Sequence, residues 1–362
     1  MSSTTTDTPA DTAAQIAARV VNADAVSPST ATRRRLVARR FVRNKLALGG
    51  LAVIVLMYVI AFFGPLLTPW TVNSQDVTAS LTPPSGPHWF GTTQVGGDVF
   101  VQTMHGLQKS LSIGLIAALI STSVAAVVGA AAGYFGGWTD RALMWIVDLL
   151  LVLPSFLILA IMSPWLQDQG WGVFVLMLAA FLWMITARIV RGTTMTLRER
   201  EYVLAARFMG TSPWRIIFRH ILPNMASLLI IDATINVGLA VLTETGLSFF
   251  GFGVQPPDVS LGTLIHDGAP FALTSPWLFA PAGILLIIGV LAVNFVGDGL
   301  RDALDPSSSR ARAKEKKRKK DSEGDPAMTP QLRADIGATR SAATSDEPDT
   351  ARSGPAGKGT TT

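Results

Sequence analysis

Three carboxylates stand within or beside long apolar stretches of this 362-residue chain, and they are its first candidates for chemistry. They are Asp148, Asp232 and Glu244. A charged group at membrane depth is costly, so such residues usually serve an ion or substrate path, here as a polar wall that faces an amine. The same carboxylates can instead accept hydrogen bonds between helices and hold a bundle together. The sequence leaves both interpretations open.

The usual signatures of enzymatic chemistry are absent from the sequence. The four histidines, His88, His105, His220 and His266, are scattered without an HExxH pair or any metal-ligand spacing. No GxxxxGK[ST] phosphate loop, no GxSxG nucleophile motif and no cysteine occur. We therefore expect no catalytic residue, no metal and no cofactor in this chain, and no ATPase activity of its own.

The segment 201–224, EYVLAARFMGTSPWRIIFRHILPN, interrupts two long apolar runs. Gly210 predicts a helix stop, because glycine readily adopts the left-handed conformation that a helix end needs. Ser212 and Pro213 suit the N-cap and first position of a second helix, and Pro223 predicts the end of that helix. The spacing alone fits either a docking surface for another protein or a helix pair lying on lipid.

Membrane helices must position both the carboxylates and this segment. The composition is 49% hydrophobic and 15% charged, with a mean hydropathy of +0.39, whereas soluble domains carry about 25% charged residues. Crossing a hydrocarbon core of ~30 Å takes about 20 helical residues, and the apolar runs lack the alternation of a membrane barrel. We therefore predict an all-α membrane protein. Its six transmembrane helices lie near 46–67, 109–133, 142–163, 171–191, 226–248 and 277–298.

Basic residues are confined to alternate connections between the predicted spans. They precede the first span, occur in 134–141 and 188–222 and are dense after the last span, whereas 68–107 and 249–276 contain none. Lys109 is the one exception. By the positive-inside rule, both termini, the 134–141 turn and 188–222 are expected to be cytoplasmic. The net charge of +5 follows from this bias and gives no reason to expect nucleic acid binding.

The charge and hydropathy patterns divide the chain into a folded core and two tails. The tails are rich in small polar and charged residues and are expected to be disordered. In the second tail, the basic run 310–320 either attracts anionic lipid head groups or is a solvated charge run that fixes topology. The predicted regions are a disordered N-terminal tail at 1–32, a basic segment with the first transmembrane helix at 33–76, an extracytoplasmic segment at 77–108, a core at 109–306 and a disordered basic tail at 307–362.

The 201–224 segment resembles the cytoplasmic coupling motif of ABC importer permeases. In that motif, Glu-Ala-Ala is followed by three residues, Gly, nine residues, one apolar residue, any residue and Leu-Pro. The residues that match are Ala205, Ala206, Gly210, Leu222 and Pro223. Leu204 stands where the family usually has Glu, and His220 stands where it usually has an apolar residue.

The resemblance extends over about residues 33–306. This part of the chain is similar to the dipeptide/oligopeptide permease family, specifically to its second, C-type subunit. Thr93 and Gly97 depart from the family pattern of the external segment. Several stretches carry the likeness in the same order: RRLVARRFVRNKLALGGLAVIVL at the first span, HWFGTTQVGGDVF at 88–100, GYFGGWTDRALMWIVDLLLVLPSF at 133–156, LSFFGFGVQPP at 247–257 and GDGLRDALDP at 297–306.

This resemblance implies an ABC importer type I permease fold in the plasma membrane. It implies a second homologous permease subunit, two ATPase subunits that bind ATP and Mg²⁺, and an extracytoplasmic peptide-binding protein. The coupling segment, residues 197–224, is then expected to dock into a groove on an ATPase subunit. The residues implied in that contact are Leu204, Ala205, Ala206, Gly210, Ile217, Ile221, Leu222 and Pro223.

Two other hypotheses fit a six-span protein. A secondary transporter would work without an ATPase. Inverted internal repeats would favour this hypothesis, but the sequence displays none. A membrane scaffold or receptor would transport no substrate. The family-like external segment and the coupling segment together argue against this hypothesis, because it does not explain either of them.

Overall fold

The computed structural model describes residues 30–166 and 170–304, and its regular secondary structure there is helical apart from two isolated β-bridges. The first helix begins at Thr30, within the N-terminal tail predicted at 1–32. The rest of that tail and the predicted basic tail at 307–362 lie outside the described residues.

Twelve α-helices follow one another in the described part of the chain. They are α1 (Thr30–Arg43), α2 (Lys45–Phe63), α3 (Val99–Phe135), α4 (Gly137–Val152), α5 (Ser155–Leu166), α6 (Trp171–Leu182), α7 (Met184–Arg198), α8 (Glu201–Phe208), α9 (Pro213–Ile216), α10 (Ala226–Phe249), α11 (Leu261–Gly268) and α12 (Ala280–Leu304). A π-helical turn, Ile217–Ile221, and a 3₁₀ turn, Leu222–Met225, connect α9 to α10.

The described residues contain between four and six candidate membrane spans. The continuous candidates are Lys45–Leu67, Val99–Phe135, Pro213–Phe249 and Ala280–Leu304. Two bent helix pairs, α4 with α5 and α6 with α7, raise the number to six if each pair is one span. The all-helical class predicted from the sequence is therefore confirmed for the part of the chain that the structure describes.

Two of the predicted spans are broken rather than continuous. Between α4 and α5 the chain bends by 83°, because Pro154 lacks an amide hydrogen and disfavours helical geometry at the residue before it. Leu153 is accordingly extended, with φ −73° and ψ 130°. The α6–α7 pair bends by 47° at Trp183, where no proline is present.

Helix α3 begins ten residues before the predicted span at 109–133. The Asp98 side chain caps it by accepting a hydrogen bond of 2.9 Å from the Val101 amide. Residues 99–108, which the sequence assigned to the extracytoplasmic segment, therefore belong to this helix. Its 37 residues give it a length of about 55 Å, and it packs against most of the other helices.

Two glycines let α3 and α7 approach closely. A Cβ atom placed on Gly133 would lie 2.6 Å from the Arg191 carbonyl oxygen and 2.8 Å from Thr194 Cβ. Gly129 would meet the backbone of Ala187 in the same way. These glycines therefore serve helix packing, since a larger side chain would force the helices apart.

Apolar clusters fill the remaining space around α3. One cluster joins α3, α6 and α10 through Ile113, Leu178 and Leu247. Another includes Met57 of α2 and Ala282 of α12 and packs them against α3. Burial of these side chains fixes the order of the helices around the central one.

Glu244 is fully buried where α3, α10 and α11 meet. Its carboxylate accepts hydrogen bonds from the hydroxyls of Ser110 at 3.0 Å and Ser248 at 2.7 Å. In turn, the Ser110 hydroxyl accepts a hydrogen bond from the Leu261 backbone amide, and the Ser248 hydroxyl accepts one from the Val254 amide. Glu244 therefore joins three elements through a hydrogen-bond network, and no basic side chain among the described residues is paired with it.

Asp232 joins α3, α7 and α10 in a second network. It accepts hydrogen bonds from the hydroxyls of Thr122 at 3.2 Å and Thr186 at 2.7 Å, and from the Asn236 amide at 2.9 Å. Two of these donors lie on other helices. For both Glu244 and Asp232 the geometry thus matches the interhelical hydrogen bonding that the sequence left open.

Replacement of Gly133 with leucine is expected to lower the free energy of unfolding by about 1–3 kcal/mol, because overpacking forces the backbones of α3 and α7 apart. Thermal unfolding of the purified chain in detergent measures the effect. Gly192→Leu is the matched control, since a Cβ at Gly192 on α7 meets nothing within 4 Å. Equal midpoints for the two variants would contradict the close contact.

Replacement of Ser110 with alanine is expected to destabilise the bundle, because the buried Glu244 loses a donor and the Leu261 amide loses its acceptor. Each buried group left unsatisfied costs about 1–3 kcal/mol. Ser123→Ala is the control, because the exposed Ser123 hydroxyl bonds only to the Leu119 carbonyl of its own helix. The network has no structural role if both variants unfold at the same temperature.

Candidate coupling surface and charged face

The turn that ends α8 has the geometry of a Schellman motif. The Gly210 amide donates to the Arg207 carbonyl at 3.0 Å, and the Thr211 amide donates to the Ala206 carbonyl at 3.1 Å. Gly210 has φ +76°, and no atom lies within 4 Å of a Cβ built on it. The helix stop predicted from Gly210 is therefore present, and glycine is required there by backbone conformation rather than by space.

The buried face of the coupling segment packs against α3 and α7. Its members are Val203, Ala206, Ile216, Ile217 and Ile221, and they are buried together with Ala130, Val190 and the following Met225. The sequence placed Ala206, Ile217 and Ile221 among residues for ATPase contact, but their side chains are enclosed within this chain. They hold the segment in position, and its outer surface is formed by other residues.

The exposed face of the segment includes two apolar side chains that the sequence analysis did not single out. Phe208 is 88% exposed and Met209 is 78% exposed, directly before Gly210. No sequence signal marked them, because packing on α3 and α7 decides that Val203 and Ala206 form the buried face of the helix. Predicted residues Ala205 and Pro223 are also exposed, whereas Leu204 and Leu222 are partly buried.

Aromatic rings extend this surface beyond the turn. Trp214 lies 6.2 Å from Phe218 in a stacked arrangement and 5.6 Å from Phe135 in an edge contact. We call the exposed surface the docking face and define it by Ala205, Phe208, Met209, Gly210, Trp214 and Phe218. It presents exposed apolar groups on two short helices joined by a hydrogen-bonded turn, and a helix that offers an apolar face to a groove is a recurring recognition mode.

The second helix of the segment differs from the prediction at both ends. Ser212 does precede Pro213 at the start of α9, but its side chain makes no capping hydrogen bond. Pro223 does not end the helical path, because π and 3₁₀ turns carry the chain into α10. The proline falls at the start of the 3₁₀ turn, where its missing amide hydrogen is tolerated.

Arg198 ties the start of the coupling segment to the end of α3. Its guanidinium donates to the carbonyl oxygens of Gly133 at 3.4 Å and Tyr134 at 3.2 Å. A cation at a helix C-terminus also interacts favourably with the helix dipole. The coupling segment is thus attached to the central helix by a charged contact as well as by apolar packing.

Asp148, the third predicted carboxylate, has a different environment from Asp232 and Glu244. It forms an ion pair with Arg188 of α7, and both side chains are largely exposed in this chain. A second pair joins Asp140 to Arg191, whose Nη2 lies 2.6 Å from Oδ2. The structure therefore does not bring the three predicted carboxylates into one site.

A histidine clamp closes the bundle at the end far from the coupling segment. His88 is buried, its Nδ1 lies 2.8 Å from Asp98 Oδ2, and its ring stacks on Trp70 at 4.6 Å. Asp76 lies on the other side of the ring, 3.6 Å from Nε2. Hydrogen bonds from Thr78, with a smaller contribution from His88, lower the pKa of the exposed Asp76 carboxyl.

A cavity of about 310 Å³ opens beside this clamp. Its polar lining includes Thr93, Gln94, Gln102 and Asp267. Partial burial raises the pKa of Asp267, and the neighbouring His266 opposes that shift. In the part of the chain that the structure describes, no group of three or more His, Asp or Glu residues is arranged to hold a metal ion.

Comparison with known families matches two regions of the chain. Residues 125–310 match the family described as binding-protein-dependent transport system inner membrane component. Residues 32–84 match the N-terminal transmembrane domain of oligopeptide transport permease C. The two matches include the coupling segment and the first span, respectively.

Curated relatives are similar over most of the chain. An oligopeptide transport system permease protein of Mycobacterium tuberculosis is 56% identical over 284 residues, which cover 78% of this chain and 97% of the relative. A dipeptide transport system permease protein of Bacillus subtilis is 40% identical over 274 residues, which cover 75% and 85%. An oligopeptide permease of the same organism is 38% identical over 293 residues, which cover 80% and 95%.

Among solved structures, an inward-facing MetNI methionine ABC transporter is 20% identical and covers 56% of this chain and 96% of its own, with a TM-score of 0.45. That score is too low to support the fold assignment, which follows from the sequence relatives. Their identity and coverage show that this chain is a member of the dipeptide/oligopeptide ABC transporter permease family, in its C-type branch.

Proposed function

We propose that this chain is the C-type permease subunit of an ATP-driven importer that moves dipeptides or oligopeptides into the cytoplasm. The observation that carries the proposal is the docking face, whose apolar side chains Phe208 and Met209 project at the Gly210 turn within the coupling motif. The names of the relatives, which are oligopeptide and dipeptide transport permeases, support peptides as the substrate. ATP hydrolysis is assigned to partner subunits.

The proposed assembly places two different permeases around a central path, with two ATPase subunits against the coupling segments. An extracytoplasmic binding protein delivers the peptide. ATP and Mg²⁺ are held by the ATPases, and this chain contributes neither a catalytic residue nor a cofactor site. The distribution of basic residues supports six spans in the plasma membrane with both termini cytoplasmic.

Movement is transmitted through the docking face, whose segment is held by the packing of its buried residues against α3 and α7. Closure of the ATPases on ATP displaces Phe208 and Met209, and the buried Ile217 and Ile221 carry that displacement to α3 and α7. The ATPases must bind the two membrane conformations differently for the equilibrium to shift. A segment fixed to two helices meets this requirement, because it cannot move without them.

Replacement of Phe208 with alanine is expected to weaken ATPase binding about thirtyfold, in the range of an interface hot spot. Peptide uptake should fall with it, while membrane insertion stays intact. The measurement is the amount of ATPase that co-purifies with the tagged chain. Trp138→Ala is the control, because Trp138 is 81% exposed at the start of α4 but lies outside the docking face. Unchanged binding in the Phe208 variant would exclude this face as the docking site.

Gly210 allows the shape of the turn to be tested separately from its surface. A β-branched residue in the left-handed conformation costs about 1–2 kcal/mol, so Gly210→Val should distort the turn and uncouple ATP hydrolysis from uptake. Gly210→Asn should retain most coupling, because asparagine tolerates this conformation. The ratio of ATP hydrolysed to peptide imported by reconstituted transporter distinguishes them. Equal ratios would show that the turn conformation does not matter.

A further inference from the structure

The ion pair between Asp148 and Arg188 is open on one side. One guanidinium nitrogen of Arg188 donates to Asp148 Oδ1. The Arg188 side chain is 51% exposed and that of Asp148 is 57% exposed. The neighbouring pair of Arg191 with Asp140 is more enclosed, at 34% and 17% exposed. Only the first pair therefore has room for a further partner.

The open pair lies within the predicted spans. Asp148 is six residues inside the span predicted at 142–163, and Arg188 is three residues inside the span predicted at 171–191. At 1.5 Å per residue, they are about 9 Å and about 5 Å from the cytoplasmic ends of those spans. Both positions therefore belong to the part of the chain that crosses the ~30 Å hydrocarbon core.

Lipid cannot cover such a pair at low cost. Exposed charged side chains within the hydrocarbon core are unfavourable, and in membrane proteins they face a bundle interior or a water-filled cavity. The exposed Ile284 and Ile287 of α12 carry no charge and are suited to lipid. The side of α4 and α7 also exposes apolar Val152 and Ile185, but its ion pair needs a polar neighbour.

We propose that the side of α4 and α7 bearing Asp148 and Arg188 forms a wall of the aqueous translocation path, where the ion pair contacts the charged ends of the passing peptide. This inference rests on the proposed function and specifies where its substrate is contacted. We call this side the charged face and define it by Asp148, Val152, Ile185 and Arg188.

The chemistry of the pair suits a zwitterionic substrate. Arg188 can bind a terminal carboxylate through guanidinium nitrogens that are not engaged with Asp148, and Asp148 can bind a terminal ammonium. Because both side chains are already paired with each other, a peptide exchanges one ion pair for others and leaves no isolated charge behind. Such exchange holds the ends of a peptide without trapping it.

The absence of cysteine from the sequence makes the exposure of this face measurable. Val152→Cys and Ile185→Cys each place one thiol on the charged face, at positions that are 82% and 64% exposed. Ile284→Cys and Ile287→Cys are controls on α12. Each variant is assembled with its partners in open membrane fragments, and a membrane-impermeant cationic thiosulfonate is added.

We expect the thiols on the charged face to react at least about tenfold faster than the control thiols, because thiolate formation requires water. An excess of a transported peptide should slow the reaction. Slow reaction at both Val152→Cys and Ile185→Cys, as at Ile287→Cys, would overturn the inference and would indicate a dry interface with the second permease. Fast reaction that peptide does not slow would also count against contact with the substrate.

Charge variants test the contact itself. Arg188→Gln is expected to lower uptake of a peptide with a free carboxyl terminus about tenfold relative to the same peptide as its amide, because a charge-assisted hydrogen bond is lost. Equal losses for both peptides, with normal ATPase co-purification, would reduce the pair to a structural role. The reversed pair, Asp148→Arg with Arg188→Asp, provides a folded alternative if the single variant fails to assemble, and the same comparison applies to it. A wild-type assembly that imports neither peptide would refute the proposed function instead.

Discussion

The close contact between α3 and α7 determines where the functional elements of this chain lie. Gly129 and Gly133 allow the two backbones to meet, and larger residues would separate them. Helix α7 leads directly into the coupling segment, whose buried face packs on both helices. The same helix presents Arg188 and Arg191 to α4. One backbone contact therefore sets the positions of the docking face and of the charged face.

Much of this architecture could be predicted from the sequence, because it depends on local composition. Long apolar runs need helices in a membrane, so the all-helical class followed directly. Gly210 was recognised as a helix stop because only its backbone freedom suits that position. The spacing of the family motif predicted two short helices separated by a turn at Gly210, since spacing within a short segment does not require knowledge of the fold.

The remaining features depend on contacts between distant residues and could not be predicted. Hydropathy does not register a bend, so Pro154 was absorbed into an apparently continuous span. The burial of Ile217 against α3 and α7 requires the helix arrangement, which periodicity alone does not provide. In the sequence, Glu244 and Asp148 are both single carboxylates in apolar stretches. In the structure, Glu244 accepts hydrogen bonds from hydroxyl groups in the interior, whereas Asp148 forms an ion pair with Arg188 at an exposed surface.

Helix α3 is nearly twice as long as a hydrocarbon core is thick. Its ends are both held by charged contacts, to Arg198 beside the coupling segment and through Asp98 to the His88 clamp. A stiff rod held in this way acts as a lever whose pivot is the glycine contact with α7, close to the end that Arg198 holds. A small tilt about that pivot displaces the distant end of the helix by a larger distance, so movement reaches the far loops without any residue along the helix changing its conformation.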